Sequence, residues 1–355
     1  MRRKFIHLVS FAAVMAIIVT GCSQSKSSDS VKVKAEKVSA ENEKNKGSVY
    51  VESEFAPLKR VVLSQSEVYF PEEDSGPNMM EDMKDIQIKM EKEREEFKKV
   101  LQKYDVDTQM PRLLTEDEKK LGLAENGITG GAGATNFFAR DPFFTIGNHI
   151  IEGSFFSSYR RLEVLPARDI LLKEVKANQN PYVAVPQPDV SKGINSKTGP
   201  FLEGGDILVY GKTIFVGNSG QASNKEGIDW LRNYLTPDGY KVVEVKLEKN
   251  TLHLDCAISF VRDGLMIVNE DSLPNGIPDE LKDWDKIKVS YKDAQNLDIN
   301  GLPINEKVYV TDIAYKNTIG KELEKRDIKV EYVDFKITRS FGGAFRCTTQ
   351  PLLRK

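Results

Sequence analysis

The stretch DILVYGKTIFV, residues 206–216, indicates which fold this 355-residue chain can adopt. An aspartate opens it, an apolar run follows, Gly211-Lys212 supplies a turn, and a second apolar run returns. A glycine-containing dipeptide between two apolar runs is typical of a β-hairpin. The same pattern follows Asp141 and Asp255, so the sequence predicts three similar hairpins.

Each predicted hairpin is followed by a segment with helical character. These segments span 159–165, 224–235 and 279–283. Two further predicted strands, 308–310 and 330–333, flank a predicted helix at 318–325. Repeats of this kind indicate units arranged around an axis, which would bring the acidic residue at the start of each hairpin to one centre. The predicted fold class is therefore α/β.

Two elements precede these repeats. LKRVVL at 58–63 is predicted to be the first strand. Apolar side chains recur every three to four residues over 78–104, which predicts a long amphipathic helix that packs on the core.

The composition is that of an ordinary globular protein. Hydrophobic residues make up 40% of the chain, and 51 basic residues nearly balance 53 acidic ones. The sequence has no basic stripe with interleaved aromatic residues, which argues against a nucleic-acid partner.

The N-terminus has the pattern of a targeting segment. Basic residues at 2–4 precede an apolar stretch over 5–19, and the whole segment closes with Val19-Thr20-Gly21-Cys22. This ending resembles the lipobox of bacterial lipoproteins; the alternative is an ordinary secretory signal with an incidental cysteine. We expect a signal peptide at 1–21, a lipid anchor on Cys22 with a flexible tether over 22–49, and attachment to the extracytoplasmic face of a membrane.

Three segments carry residues suited to chemistry on a cationic, nitrogen-rich carbon. They are LEGGD (202–206), LHLD (252–255) and GGAFRC (342–347), which together contain a thiol, a histidine and several carboxylates. His253 and Asp255 are two residues apart, so on a strand both side chains would share one face.

The chain contains three cysteines, of which Cys256 and Cys347 lie beyond the predicted anchor. On an exported protein they could form a disulfide. We favour a reactive Cys347 and a buried Cys256, because Cys256 begins an apolar run over 256–261 that is typical of a core strand. The sequence contains no CxxC pair and no His/Cys cluster, so we expect neither a metal nor a cofactor.

With three other segments, these motifs resemble the guanidine-modifying superfamily of arginine deiminases, agmatine deiminases, dimethylarginine hydrolases and amidinotransferases. The additional motifs are LKRVVL (58–63), FFARDPFFTIGN (137–148) and GIDWLRNYL (227–235). The resemblance runs from about residue 57 to 354. It implies the pentein fold, a five-bladed pseudo-symmetric α/β propeller of ββαβ units, as a single catalytic domain over 50–355.

The resemblance also implies a reaction and the residues for it. Cys347 would attack the guanidinium carbon as a thiolate and form a covalent S-amidino intermediate. His253 would act as general acid and base, oriented by Glu203. The substrate guanidinium would be bound by three carboxylates: Asp141, Asp206 and Asp255. We further expect the pKa of Cys347 to be moderately depressed.

Some positions depart from the patterns of the superfamily. Gln221 stands where arginine deiminases have an arginine for the substrate carboxylate; Lys225 or Arg160 could replace it. Against amidinotransferases, Arg346 stands where a histidine is common, and Glu203 where an aspartate is common. The sequence therefore leaves open whether water or an amine accepts the amidino group.

Two alternatives to an enzyme remain at this stage. A lipid-anchored solute-binding protein for guanidinium or amine ligands would need the carboxylates but not the thiol of Cys347. A structural envelope protein would bind no ligand. The sequence does not indicate the oligomeric state.

Overall fold

The computed structural model describes residues 48–66, 77–115, 117–118 and 137–355, with the backbone alone for 77–83. Within it Gly47–Lys355 form one compact unit. The predicted signal peptide, Cys22 and nearly all of the predicted tether lie outside the described residues, so these three assignments stay predictions.

The described chain alternates short strands with helices. The strands are β1 Tyr50–Val51, β2 Leu58–Leu63, β3 Asp107–Gln109, β4 Phe143–Ile146, β5 His149–Glu152, β6 Tyr182–Ala184, β7 Ile207–Tyr210, β8 Thr213–Asn218, β9 Lys241–Lys246, β10 Ile258–Arg262, β11 Leu265–Val268, β12 Asp285–Lys288, β13 Leu302–Asn305, β14 Val308–Asp312, β15 Lys329–Val333 and β16 Thr349–Arg354. The α-helices are α1 Pro77–Lys103, α2 Leu165–Asn178, α3 Lys225–Leu235, α4 Tyr291–Gln295, α5 Lys321–Glu324 and α6 Lys336–Ser340.

These strands form five small sheets, and four of them share one topology. Four sheets have three strands each, in the orders β4-β5-β6, β7-β8-β9, β10-β11-β12 and β13-β14-β15. In each, an antiparallel hairpin is followed by a third strand that runs parallel to its second strand. The fifth sheet has the order β1-β16-β2-β3, so it joins the early strands to the last one.

The three hairpins predicted from glycine-containing turns are present. Their turn glycines, Gly147, Gly211 and Gly264, have φ values of +54°, +56° and +71°. This left-handed conformation is one that glycine adopts without steric cost, and it matches the twist of tight hairpins. The helix predicted over 224–235 is also present, with Asn224 as its N-cap residue.

Other boundaries were predicted wrongly. The segment 159–165 is not a helix: a single 3₁₀ turn covers Ser158–Arg160, and α2 begins at Leu165, where Pro166 occupies the first turn and pre-sets its backbone. The segment 279–283 contains only the 3₁₀ turn Asp279–Leu281. The strand over 58–63 is the second, because β1 precedes it.

Helix α1 lies against the segment that carries Cys347. The ring of Phe97 packs edge-on against Phe345 and Phe335, with centroid distances of 5.0 and 5.6 Å. Phe335 and Phe345 stack on each other at 4.3 Å. All three rings are buried, so the apolar face of α1 fixes the residue two positions before Cys347.

Within the described residues, no helix has both the length and the apolar character that crossing a membrane requires.

Candidate active site

The backbone around Cys347 is held by the buried side-chain amide of Asn300. The side-chain oxygen of Asn300 accepts hydrogen bonds from the backbone N–H groups of Ala344, at 3.1 Å, and Cys347, at 3.2 Å. The N–H of Arg140 donates to the carbonyl of Cys347 at 3.1 Å. Gly342, with a φ of +93°, turns the chain into this segment. The thiol therefore projects from a backbone that is fixed on both sides.

The Cys347 thiol lies beside a carboxylate. Its sulfur is 3.6 Å from Oδ2 of Asp255, and only 4% of the residue is exposed. Burial raises the pKa of the thiol well above its usual range, and the Asp255 carboxylate raises it further. The expectation of a depressed pKa was therefore wrong, because burial and the Asp255 carboxylate both favour the neutral thiol.

His253 lies between two carboxylates. Its Nε2 is 2.9 Å from Oε2 of Glu203, and its Nδ1 is 3.9 Å from Oδ1 of Asp141. Burial lowers the pKa of His253, but the carboxylates of Asp141 and Glu203 outweigh it and raise the pKa to about 10. The ring is therefore protonated at neutral pH and able to donate a proton.

Two adjacent glycines allow this close packing. A Cβ at Gly205 would lie 2.7 Å from Cγ of His253 and 2.8 Å from Oδ1 of Asp141. A Cβ at Gly204 would lie 1.9 Å from the carbonyl oxygen of Arg140. Only a residue without a side chain fits at either position, which explains the glycine pair after Glu203.

Replacing Gly205 by alanine is expected to push His253 and Asp141 apart. We expect kcat/KM to fall by roughly 100-fold, since a displacement of about 1 Å has that effect on a positioned group. Steady-state kinetics on Gly205→Ala would measure it. Gly239→Ala controls for the loss of a glycine away from the site: a Cβ there would meet nothing within 4 Å, and its φ of +77° should cost roughly 1–2 kcal/mol of stability without moving a site residue. Equal activity in the two variants would contradict the packing argument.

His253 and Asp255 do not lie on a strand. Leu254–Cys256 form a 3₁₀ turn, which His253 precedes in an extended conformation, and β10 begins only at Ile258. Cys256 is consequently partly exposed and not part of a strand core, and both it and Cys347 are free thiols. The prediction of a shared strand face was wrong, although the turn still brings His253 and Asp255 to one site.

Two of the three acids expected to bind a guanidinium already pair with an arginine of the chain. Asp141 accepts a hydrogen bond from Arg160 at 2.9 Å, and Asp255 accepts one from Arg346 at 2.8 Å. Arg160 also lies 3.5 Å from Oε2 of Glu203. Asp141, His253, Glu203 and Arg160 thus form a closed ring of alternating charges.

Asp206 has a different environment from the other acids. Its Oδ1 accepts a hydrogen bond from the N–H of Leu254 at 2.9 Å, and its Oδ2 accepts one from the N–H of Ser223 at 3.2 Å. Burial raises the pKa of this carboxyl to about 7. One oxygen therefore holds the backbone next to His253 and the other holds that of Ser223, and substrate binding by Asp206 stays a prediction that this geometry does not favour.

The side chains considered for binding the substrate carboxylate have other partners, and so does Gln221, which stands in place of the expected arginine. Gln221 is exposed and donates to the carbonyl of Lys249. Lys225 pairs with Asp229 on the exposed side of α3. Arg160 is engaged by Asp141 and Glu163, at 2.9 and 2.8 Å. The Nε of Arg140 donates to the carbonyl oxygen of Arg346 at 3.2 Å.

The sequence analysis missed three residues that shape the site. Asn300 holds the Cys347 backbone, Glu54 binds Arg346 through both carboxylate oxygens at 3.1 and 3.2 Å, and Glu163 binds Arg160. Asn300 stands just before the β13–β14 hairpin, as Asp206 does before β7–β8, so the repeat could have identified it. No comparable signal marks Glu54 or Glu163.

Asp141, Glu203 and His253 have the donor types of a metal site. One ligand atom from each lies within 4.8 Å of the others. The carboxylates are, however, already neutralised by Arg160 and by protonated His253. A metal ion would have to displace a proton or an arginine, which does not favour a metal centre here.

A cleft of about 580 Å³ lies beside the site. Cys256 lines it, together with residues from 250–252, 294–297 and α6. Its position next to Asp255 gives a small molecule a place to bind adjacent to the buried thiol.

Comparison with known proteins identifies relatives of the chain. The family model described as N,N dimethylarginine dimethylhydrolase, eukaryotic, matches residues 73–354. The uncharacterized protein YkgA of Bacillus subtilis (strain 168) is 30% identical over 154 residues, which are 43% of this chain and 52% of that protein. Mitochondrial glycine amidinotransferase of Danio rerio is 26% identical over 251 residues, 61% of this chain and 58% of that protein.

The chain thus spans little more than half the length of these two curated relatives. Among solved structures, SxtG, an amidinotransferase of the saxitoxin biosynthetic pathway from Microseira wollei, superimposes with a TM-score of 0.73 at 22% identity. The superposition covers 86% of this chain and 97% of that one. At this identity the likeness concerns the fold.

Proposed function

Because the chain belongs to the N,N-dimethylarginine dimethylhydrolase family of the pentein superfamily, we propose that it is an enzyme that cleaves a C–N bond of a guanidino compound. The observation that carries the proposal is the enclosed set of thiol, carboxylates and protonated histidine: Cys347 beside Asp255, and His253 beside Glu203. A solute-binding protein would have no use for the thiol, and the relatives do not favour that alternative.

In the first step, the Cys347 thiolate adds to the guanidinium carbon. Asp255, whose Oδ2 lies 3.6 Å from the sulfur, is suited to hold a guanidinium nitrogen there. The tetrahedral adduct collapses by breaking one C–N bond, and His253 gives its proton to the departing amine. The product is an S-amidino adduct on Cys347.

In the second step, water or an amine attacks the adduct carbon. His253, now neutral, takes the proton of the attacking group, and the C–S bond breaks to return the thiolate. The raised pKa of the Cys347 thiol fits this scheme, since the positive charge of a bound guanidinium would favour the thiolate when substrate is present.

These pKa shifts predict an alkaline pH optimum. We expect kcat/KM to rise above pH 7 as the Cys347 thiol loses its proton, with a break in the profile near pH 10 where His253 loses its own. Glu203→Gln removes a carboxylate that raises the pKa of His253, so this break should move down by roughly one pH unit or more. Glu226→Gln, an exposed glutamate of α3, is the control. An unmoved break in Glu203→Gln would contradict the pairing.

Product analysis with arginine and glycine tests the function itself. Citrulline would identify water as the acceptor, and ornithine with guanidinoacetate would identify an amine. If neither these compounds nor other guanidino compounds are converted, while the ligands still bind, the chain is a binder and the proposal fails.

The proposal extends to the architecture. We take the five sheets to be the blades of a pseudo-symmetric propeller. The repeated strand order supports this, as does the convergence of Asp141, Asp255 and Asn300, each of which precedes a hairpin, near Cys347.

It also extends to the N-terminus. The sequence Val19-Thr20-Gly21-Cys22 supports lipid attachment at Cys22 and a membrane-anchored enzyme on the extracytoplasmic face. Metabolic labelling with radioactive palmitate is expected to mark the wild-type chain and not Cys22→Ser. Equal labelling of both chains would refute the anchor.

A further inference from the structure

The wall of the cleft beside the active site lies close to the reacting groups. Cys256, which lines it, has its sulfur 3.6 Å from Oδ1 of Asp255. The other oxygen of Asp255, Oδ2, lies 3.6 Å from the sulfur of Cys347. One carboxylate thus separates the cleft wall from the nucleophile, so a molecule held in the cleft is within one residue of the thiol.

The two basic side chains that line the cleft set its charge. They are Lys336 and Arg339, both from α6, and no aspartate or glutamate lines the cleft among the residues that the structure describes. Amide and hydroxyl side chains supply most of the remaining polar lining: Asn250, Thr251, Gln295, Asn296 and Ser340. The cleft is therefore basic, and the buried carboxylate of Asp255 lies directly behind its wall at Cys256.

Arg339 is held rigidly at the cleft. Its Nε donates to Oδ2 of Asp312 at 2.7 Å, and its Nη1 donates to the hydroxyl of Tyr315 at 2.7 Å. Its guanidinium also lies over the Tyr315 ring, 5.0 Å from the centroid. Lys336 is exposed and forms no ion pair with any described residue, so its charge is fully available to a ligand.

This basic cleft provides cations for a substrate carboxylate, which the side chain at position 221 does not. Gln221 carries no charge and donates its amide hydrogen to the Lys249 carbonyl, so it does not offer a site for an anion. Lys336 and Arg339, which line the cleft, provide such a site. The volume of about 580 Å³ is in the range of small-molecule sites.

Resting on the proposed function, we propose that the cleft binds the anionic end of the substrate through Lys336 and Arg339, while its guanidino or amine end reaches Asp255 and Cys347. The ligand class is a small guanidino or amine compound with a carboxylate or a phosphate. Such a molecule carries a negative charge for the cations of the cleft and a positive charge for the carboxylate of Asp255.

The charge of the cleft can be tested without turnover, by alkylating Cys256. Iodoacetate and iodoacetamide differ in the carboxylate that the first one carries. Their rate ratio at Cys256, measured by peptide mass mapping of the full chain with Cys347→Ala, cancels the reactivity of the thiol itself. Lys336→Met should lower the ratio of iodoacetate to iodoacetamide by roughly fivefold, the effect of one nearby charge.

The matched control is Lys225→Met, which removes an exposed lysine of α3 and should leave the ratio unchanged. Acetate and inorganic phosphate, added separately, should slow the alkylation by iodoacetate, and the more effective anion identifies the preferred group. A ratio that Lys336→Met does not alter, or alkylation that neither anion slows, would overturn the proposal.

Turnover separates the failure of this inference from that of the proposed function. Arginine and agmatine differ in one carboxylate, so the cleft should favour arginine by roughly tenfold or more in kcat/KM, and Lys336→Met should remove most of that preference. Conversion of both compounds at equal rates would refute the anion site and keep the enzyme. If neither is converted but the alkylation ratio responds to Lys336→Met, the anion site stands and the proposed function fails.

Discussion

Turnover of a guanidino substrate is expected to fall by roughly a thousandfold or more in Cys347→Ser, because the step that forms the covalent adduct needs a thiolate. A serine hydroxyl at this buried position, 3.6 Å from the Asp255 carboxylate, is far harder to ionise than a thiol. The substitution exchanges one atom, so the backbone bonds that Asn300 makes to the loop should persist. Steady-state kinetics and intact-protein mass after a rapid quench would measure both turnover and adduct.

Cys256→Ser is the matched variant for the adduct. The Cys256 sulfur contacts the other oxygen of Asp255, yet it lies in the 3₁₀ turn and outside the Cys347 loop. We expect an adduct mass in Cys256→Ser and none in Cys347→Ser. An adduct that persists in Cys347→Ser would show that Cys347 is not the nucleophile.

The second large effect is on stability, and it concerns Arg346. Its side chain is 2% exposed and binds two acids that are also buried, Glu54 at 7% and Asp255 at 0%. Arg346→Met would leave two carboxylates without their cation, and breaking a buried ion pair in this way lowers the free energy of unfolding by roughly 3–5 kcal/mol. Urea denaturation, followed by circular dichroism, would measure the change.

An exposed arginine provides the comparison. Arg232 pairs with Asp229 on α3, and their side chains are 38% and 40% exposed. Arg232→Met should change the free energy of unfolding by less than about 1 kcal/mol, as is usual for surface pairs. Similar losses in the two variants would mean that Arg346 does not neutralise a buried acidic pair.

Elements encoded by neighbouring residues were predictable. The turn glycines and the flanking apolar runs of β4–β5, β7–β8 and β10–β11 are adjacent in sequence, so the hairpins could be read directly. Of the parallel third strands, β15 was predicted over 330–333, whereas β6, β9 and β12 were missed, because each pairs with a strand that lies 20 to 32 residues earlier. β16 was missed for a similar reason: Thr349–Arg354 includes a proline and pairs with β2, nearly 300 residues earlier.

The same distinction applies to the residues of the candidate site. Cys347, His253 and Glu203 were identifiable because each lies in a short motif with unusual chemistry. The pKa of Cys347 was misjudged because it depends on burial and on the Asp255 carboxylate, which only the folded chain brings together. The partners of Arg160 and Arg346 could not be assigned either, since Glu54 and Arg346 are 292 positions apart.

The pairing of β16 with β2 also sets the order in which the proposed active site is completed during synthesis. Cys347 leaves the ribosome after every other residue of the site, and it lies two positions before a strand whose partner was translated near the beginning of the globular unit. Contacts of such sequence separation form slowly. The nascent chain thus carries the carboxylates and the histidine of the proposed site before its thiol, and the site is complete only when the two distant strands join.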